Sequence, residues 1–320
     1  MTTRVIGTGS YVPEQIVTND DLSKIVDTND EWIQTRTGIQ KRRIAMDMGT
    51  TDLAVRAAKK ALESAGKKAE ELDLILLATS TPDKCFPNGA CEVQAAIGAV
   101  HAVCFDLSAA CSGFLFALNT AHGFLKSGLY RNALVIGVDV LSKVVDWTDR
   151  GTCVLFGDGA GAVVVEAQDH GILHLLMGSD GSRGNVLECL ARSGGNFLNG
   201  QKPRLGYMTM EGQEVFKFAV KKVPECIRQL LEESHTQMEE ISYVIMHQAN
   251  YRICEAIAKR LRISLDRIPM NIQRYGNTSG ASVPLLLDEM NAAGMLKRGD
   301  KIVLAGFGAG LTWGATLMEW

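Results

Sequence analysis

The chain has 320 residues and a formal net charge of −3, with 46% hydrophobic and 22% charged residues. These proportions belong to a globular protein with room for a substantial core, and they exclude a mostly disordered chain. The slight negative charge excludes nucleic-acid binding that depends on global basicity, so any basic site has to be a local patch.

The first segment, MTTRVIGTGSYVP, reads as a strand and turn and lacks the charged start and long apolar core of a signal peptide. No apolar run approaches the roughly 20 residues that span a bilayer. The eight cysteines are Cys85, Cys91, Cys104, Cys111, Cys153, Cys189, Cys226 and Cys254. None forms a CxxC pair and no Cys/His cluster has zinc-ligand spacing, so reduced thiols, no metal and a soluble cytoplasmic protein are expected.

In chain order, apolar runs at 72–80, 102–114, 132–140 and 159–167 alternate with helical periods, and a second set follows at 241–249, 268–287, 300–308 and 312–320. This alternation predicts an α/β architecture with buried parallel strands. A shift of 169 positions lays Leu72 on Ile241 and Ala133 on Ile302, and a shift of 167 lays 111–113 on 278–280. The order of elements therefore predicts a duplicated unit, with halves 1–170 and 171–320 and a site where they meet. The Gly-, Ser- and Asn-rich stretch 180–206 reads as a surface loop or flap.

Cys111 lies in CFDLSAACSGFLFALNTA, where small residues separate a strand-like run from a helical period. That pattern delivers a nucleophile on a tight turn, and the N–H groups of the following helix are expected to favour its thiolate. His247 follows the strand-like YVIM directly, whereas His101, His122, His170, His174 and His235 read as surface residues. Asn277 lies in RYGNTSGAS, another turn of small residues before a helical period. Cys, His and Asn together suggest thiol acyl transfer, with backbone N–H groups, one of them from FGAG (307–310), holding the oxyanion. Papain-like proteases use the same order of residues, but their local signature C-G-[SA]-C-[WY] is absent.

The blocks TNDEWIQTRTGI (28–39), DLSAACSGF (106–114), DWTDRGTCVLFGDGAGA (146–162), HQANYRI (247–253), RYGNTSGASVP (274–284) and FGAGLTWG (307–314) resemble, in order, those of β-ketoacyl-acyl-carrier-protein synthase III. The resemblance runs from the first strand to Trp320. It implies a thiolase-like, duplicated five-layered α-β-α-β-α fold and the initiating condensation of an acyl-coenzyme A, acetyl by expectation, with malonyl-carrier protein. Cys111 would carry the acyl group, and His247 and Asn277 would stabilise the enolate left by loss of CO₂. The backbone N–H groups of Cys111 and Ala309 would form the oxyanion hole; Ala309 replaces a glycine of the family's FGGG run.

The same resemblance implies that Trp32 and Arg150 sandwich the adenine of coenzyme A while Arg36 sits near its phosphates. Arg252, Lys259 and Arg260, joined by Arg262, would dock an acidic carrier protein. Phe86 would reach across a homodimer interface into the partner's acyl pocket, and Met210, Gly212 and Phe216 would line the pocket. Neither metal nor redox cofactor is implied, coenzyme A thioester being a substrate, and neither nucleic acid nor membrane is a partner. The competing readings are a relative that primes polyketide or quinolone synthesis, a thiol hydrolase, and a non-catalytic carrier-binding module.

Overall fold

Successive residues of the predicted strands serve different cores. In one strand Leu74 and Leu76 enter one buried cluster while Ile75 and Leu77 enter another, as the period-2 pleat requires. The structure is a computed structural model that describes residues 1–190, 198, 200, 202 and 206–320.

The strands of the first half are β1 (Thr2–Tyr11), β2 (Ile16–Thr18), β3 (Lys41–Arg43), β4 (Leu74–Ala78), β5 (Val103–Leu107), β6 (Asn132–Asp139) and β7 (Gly159–Gln168). Those of the second are β8 (Ile172–Ser179), β9 (Leu187–Cys189), β10 (Met208–Met210), β11 (Ile241–Met246), β12 (Lys301–Gly308) and β13 (Thr312–Glu319). The helices of the first half are α1 (Asn19–Leu22), α2 (Asp30–Thr37), α3 (Thr50–Ala65), α4 (Gly89–Ile97), α5 (Gly113–Lys126) and α6 (Arg150–Cys153). The remainder are α7 (Gly212–Glu233), α8 (Tyr251–Leu261), α9 (Ile272–Tyr275) and α10 (Ser282–Ala292).

Beside the two-stranded pairs β2-β3 and β9-β10, two large sheets form, in the orders β1-β7-β6-β4-β5 and β8-β13-β12-β11. Both are mixed, which corrects the expectation of parallel strands. Only β5, β4 and β6 in one sheet, and β11 and β12 in the other, are parallel to their neighbours. Residues 309–311 between β12 and β13 are too few for a crossover, so β13 has to run back along β12.

One buried cluster joins β4 and β6 to β12 through α5 and α10, so these two helices form a layer between the sheets. Helices α3 and α4 cover the outer face of the first sheet, and α7 and α8 cover that of the second. The result is five layers, helix–sheet–helix–sheet–helix, as in the thiolase fold.

The repeat is visible in the strand register. Leu74 pairs with Ala133 in the first sheet, and Tyr243 pairs with Ile302 in the second, each residue displaced by the same 169 positions. The turns follow that shift too. The short 3₁₀ turns are Ala110–Ser112 and Ser279–Ala281, and their left-handed residues are Ala110 (φ 45) and Ser279 (φ 52). The separate shift of 167 is thereby corrected: it matched Ser-Gly by type, whereas the backbone places Cys111 opposite Gly280.

The stretch 180–206 is only partly irregular. Residues Gly181–Val186 form a 3₁₀ segment and β9 pairs with β10. The rest of that expected flap, at 191–197, 199, 201 and 203–205, lies outside the described residues.

Candidate active site

Strand β5 leads into the Cys111 turn and is fixed just before it. The Asp106 carboxylate accepts from Gly89 N and Ala90 N, both at 2.8 Å, so it caps α4 while ending β5. The left-handed Ala110 then reverses the chain, and α5 departs from Gly113. Gly308 presses on this turn so closely that a Cβ there would lie 2.7 Å from Cys111 N and 3.1 Å from Ser112 N. Only glycine permits such an approach.

His247 continues β11 by donating its backbone N–H to Ala305 O at 2.9 Å. Its buried ring packs edge-on to Phe307, 5.2 Å between centroids. Its Nδ1 lies 2.7 Å from Ser282 Oγ, which also accepts from Gln248 N at 3.3 Å. With Ser282 donating to Nδ1, the ring proton would sit on Nε2, which has no hydrogen-bond partner among the described residues.

Asn277 is held by its backbone to the 155–157 segment: its N–H donates to Leu155 O at 2.9 Å and its carbonyl accepts from Gly157 N at 3.0 Å. Its Oδ1 accepts from Ser279 N at 2.8 Å, which leaves Nδ2 as a donor with no protein partner.

The three side chains are joined through single intermediaries. Ser279 bonds the Cys111 thiol and, through its N–H, Asn277. Ser282, at the start of α10, bonds His247, while Phe307 and Gly308 bear on His247 and Cys111 in turn. Cys111, His247 and Asn277 are thus tied together through Ser279, Phe307 and Gly308.

The electrostatics correct one expectation. Burial pushes the Cys111 thiol up to about 12 and the negative charge of Asp139 adds to this, against the Ser279 hydrogen bond and the residue's own N–H. The helix N-terminus does not make a resting thiolate, because desolvation outweighs it. Burial pushes His247 down to about 3.

Ala309 lies outside the left-handed region, so the alanine that replaces a glycine here is unstrained. Its carbonyl accepts from Thr312 Oγ1 at 3.0 Å, and Thr312 Oγ1 lies 2.5 Å from Ser112 Oγ, which fastens this loop to the nucleophile turn.

Trp32, Arg36 and Arg150 meet. The guanidinium carbons of Arg36 and Arg150 lie 4.5 and 4.9 Å from the Trp32 ring centroid. Arg150 also donates to Asp27 O at 2.8 Å. Asn250, which caps α8, donates to Arg36 O at 3.0 Å and so ties α8 to α2. Arg252, Lys259 and Arg260 are exposed on α8, above an apolar face of Ile253, Ile257 and Leu261, and Arg262 follows as the exposed, left-handed cap. Glu255 pairs with Lys259 at 3.2 Å.

The acyl-pocket candidates are not gathered. Phe86 is 86% exposed on the loop before α4, and Phe216 is 36% exposed on α7. Gly212 is exposed at the start of α7, and a Cβ on it would meet the Met210 methyl at 3.7 Å; Met210 itself is half-buried. None of the four touches Cys111 within this chain.

His122 was expected at the surface but is buried on α5, its Nδ1 2.9 Å from Thr3 Oγ1. A helix packed on both sides buries even its polar positions. Asp139, Ser279 and Ser282 were not singled out by sequence reasoning. The signal for Asp139 was its place under the 169-residue repeat, opposite Gly308. Among the described residues no group of three His, Cys, Asp or Glu side chains is placed to hold a metal ion, and no helix is long and apolar enough to cross a membrane.

Comparison with known proteins places this geometry. The family described as 3-oxoacyl-(acyl-carrier-protein) synthase III matches residues 105–181, and its C-terminal region matches residues 231–320. A β-ketoacyl-(acyl-carrier-protein) synthase III of Clostridium acetobutylicum is 54% identical over 318 residues, covering 99% of this chain and 98% of that protein. The crystal structure of the Aquifex aeolicus 3-oxoacyl-(acyl-carrier-protein) synthase III superposes with a TM-score of 0.93 at 50% identity, covering 99% of this chain and all of that one. A priming β-ketosynthase of the R1128 polyketide pathway gives a TM-score of 0.92 at 35% identity, covering 99% and 96% of the two chains. The chain therefore belongs to the 3-oxoacyl-(acyl-carrier-protein) synthase III family, and it is a condensing acyltransferase that initiates fatty acid synthesis.

Proposed function

We propose that the primer is acetyl-coenzyme A and that Cys111, His247 and Asn277 divide the reaction into two half-reactions. In the first, Cys111 sulfur attacks the acyl carbonyl, the bond to coenzyme A sulfur breaks, and the thiol proton leaves with coenzyme A. The oxyanion is held by the N–H groups of Cys111 and Ala309. In the second, the carboxylate of malonyl-carrier protein departs as CO₂ and its electron pair forms an enolate. His247 Nε2–H and Asn277 Nδ2–H donate to the enolate oxygen. The enolate carbon attacks the acyl-cysteine, the carbon–sulfur bond breaks, the β-ketoacyl-carrier protein leaves, and the Cys111 thiolate takes a proton from water to regain the thiol.

The observation that carries this reading is the pair of buried donors, His247 Nε2 and Asn277 Nδ2, each fixed by a bond to its other polar atom and neither spent on the protein. A charge developing against such preorganised donors in a dry pocket gains several kcal/mol, about 3 for a single donor. The electron pair freed by loss of CO₂ is received by these donors, and the reading calls on neither a metal nor a redox cofactor.

Trp32, Arg36 and Arg150 would clamp coenzyme A at the mouth, by stacking and charge. The exposed bases Arg252, Lys259 and Arg260 on α8 would dock an acidic carrier protein, a local patch on a net-acidic chain. The unpaired edge of β5, with Val103 47% exposed and Phe86 exposed nearby in sequence to α4, supports a homodimer across that edge, which is where Phe86 would gain its acyl-pocket role beside Met210, Gly212 and Phe216. The duplicated halves 1–170 and 171–320 divide the site between nucleophile and donors, and the protein would work in the cytoplasm. A priming enzyme of a polyketide pathway would share all of this and differ in the carrier that discharges Cys111.

The two half-reactions are separable by experiment. His247→Ala and Asn277→Ala should lower CO₂ release from malonyl-carrier protein by about 10²–10³-fold and leave acylation of Cys111, followed by intact mass, nearly unchanged. Cys111→Ser should abolish acylation. Equal loss of both steps in the His247 variant would mean that the imidazole activates the thiol instead.

A further inference from the structure

The two halves place corresponding residues against each other's turns. Strand β6 ends at Asp139 and strand β12 ends at Gly308, positions related by the 169-residue repeat. Gly308 presses its bare backbone against Cys111 N. Asp139, in the mirror arrangement, offers its Oδ2 to the N–H of Gly280 at 3.3 Å. Gly280 is the repeat partner of Cys111.

Asp139 is fully buried. Its Oδ1 accepts from Ser80 N at 2.8 Å, Thr81 Oγ1 at 3.0 Å and Thr79 Oγ1 at 3.1 Å. Among the described residues these partners are all neutral N–H or O–H groups, with no Lys, Arg or His. Burial pushes the Asp139 carboxyl above its usual range and these donors pull it back down, so the group is held by geometry rather than by a partner charge.

We propose that Asp139 is a positioning residue for the decarboxylation half-reaction: its carboxylate fills, on the Asn277 turn, the anion position that the repeat leaves open above Cys111 for the substrate oxyanion. The turn over Cys111 must release its anion each cycle, so the strand-end residue facing it is glycine. The turn that carries Asn277 must never move, so the strand-end residue facing it is a side chain that stays in place as an acceptor. By holding Gly280 N, Asp139 fixes the turn whose Ser279 N–H orients Asn277 Oδ1. It holds no group of the Cys111 acylation path except through Ser279.

This inference rests on the assignment of Asn277 as an enolate donor. Asp139→Asn keeps the shape, but one oxygen becomes an NH₂ that faces either Gly280 N–H or the Ser80 N–H, donor against donor. In the full-length enzyme, CO₂ release from malonyl-carrier protein and acylation of Cys111 by acetyl-coenzyme A are measured separately, with Asn277→Ala alongside and thermal unfolding as the fold control. The expected result is a fall of about 10²-fold in CO₂ release, with acylation lowered no more than about threefold. Loss of both half-reactions in equal proportion, or no loss in either, would overturn the inference while leaving the Asn277 assignment intact. If Asn277→Ala itself spares CO₂ release, the assignment fails and takes the inference with it. Should Asp139→Asn not fold, Thr81→Val, which removes one donor to the carboxylate, decides the matter by the same split at smaller amplitude.

Discussion

Strand β5 and helix α9 occupy corresponding places in the two halves, yet one is extended and the other helical. The 169-residue shift carries Val103–Leu107 onto Ile272–Gly276, where the chain forms α9 and only one bridge, Phe156 to Asn277, remains of a fifth strand. The first half keeps the strand and delivers Cys111 from its end. The second half gives it up and so frees Asn277 to anchor on the 155–157 segment of the other half. Duplication supplied two similar turns, and the active site comes from how they differ. His247 makes the same point, since the repeat sets it against Ala78, a small core residue.

The largest effect is expected from erasing the distinction between the two strand ends. Gly308→Ala places a Cβ 2.7 Å from Cys111 N, against backbone that cannot give way, and should lower the acylation rate by about 10²-fold or more. Single-turnover acylation followed by mass would check this; an unimpaired rate would mean the turns are looser than their spacing implies.

A smaller loss should follow from Ser282→Ala, which removes the donor to His247 Nδ1 and frees the tautomer. CO₂ release should fall by about tenfold, one neutral hydrogen bond's worth, with acylation spared. The readout is the ratio of the two half-reaction rates.

The smallest effect concerns pH. His247 is held down to about 3 in the fold, so below pH about 6.5 the unfolded chain takes up a proton that the folded chain refuses. Stability should be at its full value above that pH and fall by roughly 1.4 kcal/mol per unit as pH drops toward 5. His122, also held down by burial, adds to the slope. Denaturant unfolding from pH 7 to 5 measures it, and His247→Asn should flatten the slope in part, since Ala78 in the first half contributes no such titration.

Much of this was legible in the sequence because strands and repeats write themselves in periodic apolar residues. The shift of 169 found from Leu72 and Ala133 is the register of the folded sheets. Turns are less legible, since a left-handed φ at Ala110 or Ser279 leaves no trace in residue type; neither is glycine. The Cys111 thiol was misjudged because a helix N-terminus is visible in sequence and desolvation is not. Asp139 sits in VIGVDV and looks like an ordinary strand end, its four neutral partners coming from segments some 60 and 140 positions away. The antiparallel β13 follows from the brevity of 309–311, a clue present in the sequence but not visible without knowing where β12 ends.

The central helical layer has a thermodynamic consequence. Phe114, Leu118 and Leu125 of α5 and Leu286, Leu287 and Met290 of α10 share one cluster with Leu74 and Val135 from one sheet and Ile245 and Leu304 from the other. Neither half has a finished interior without the other's helix and sheet. Cutting the short link between β7 and β8 would therefore release two incomplete cores rather than two stable pieces, and the chain melts as a single cooperative unit in spite of its twofold plan.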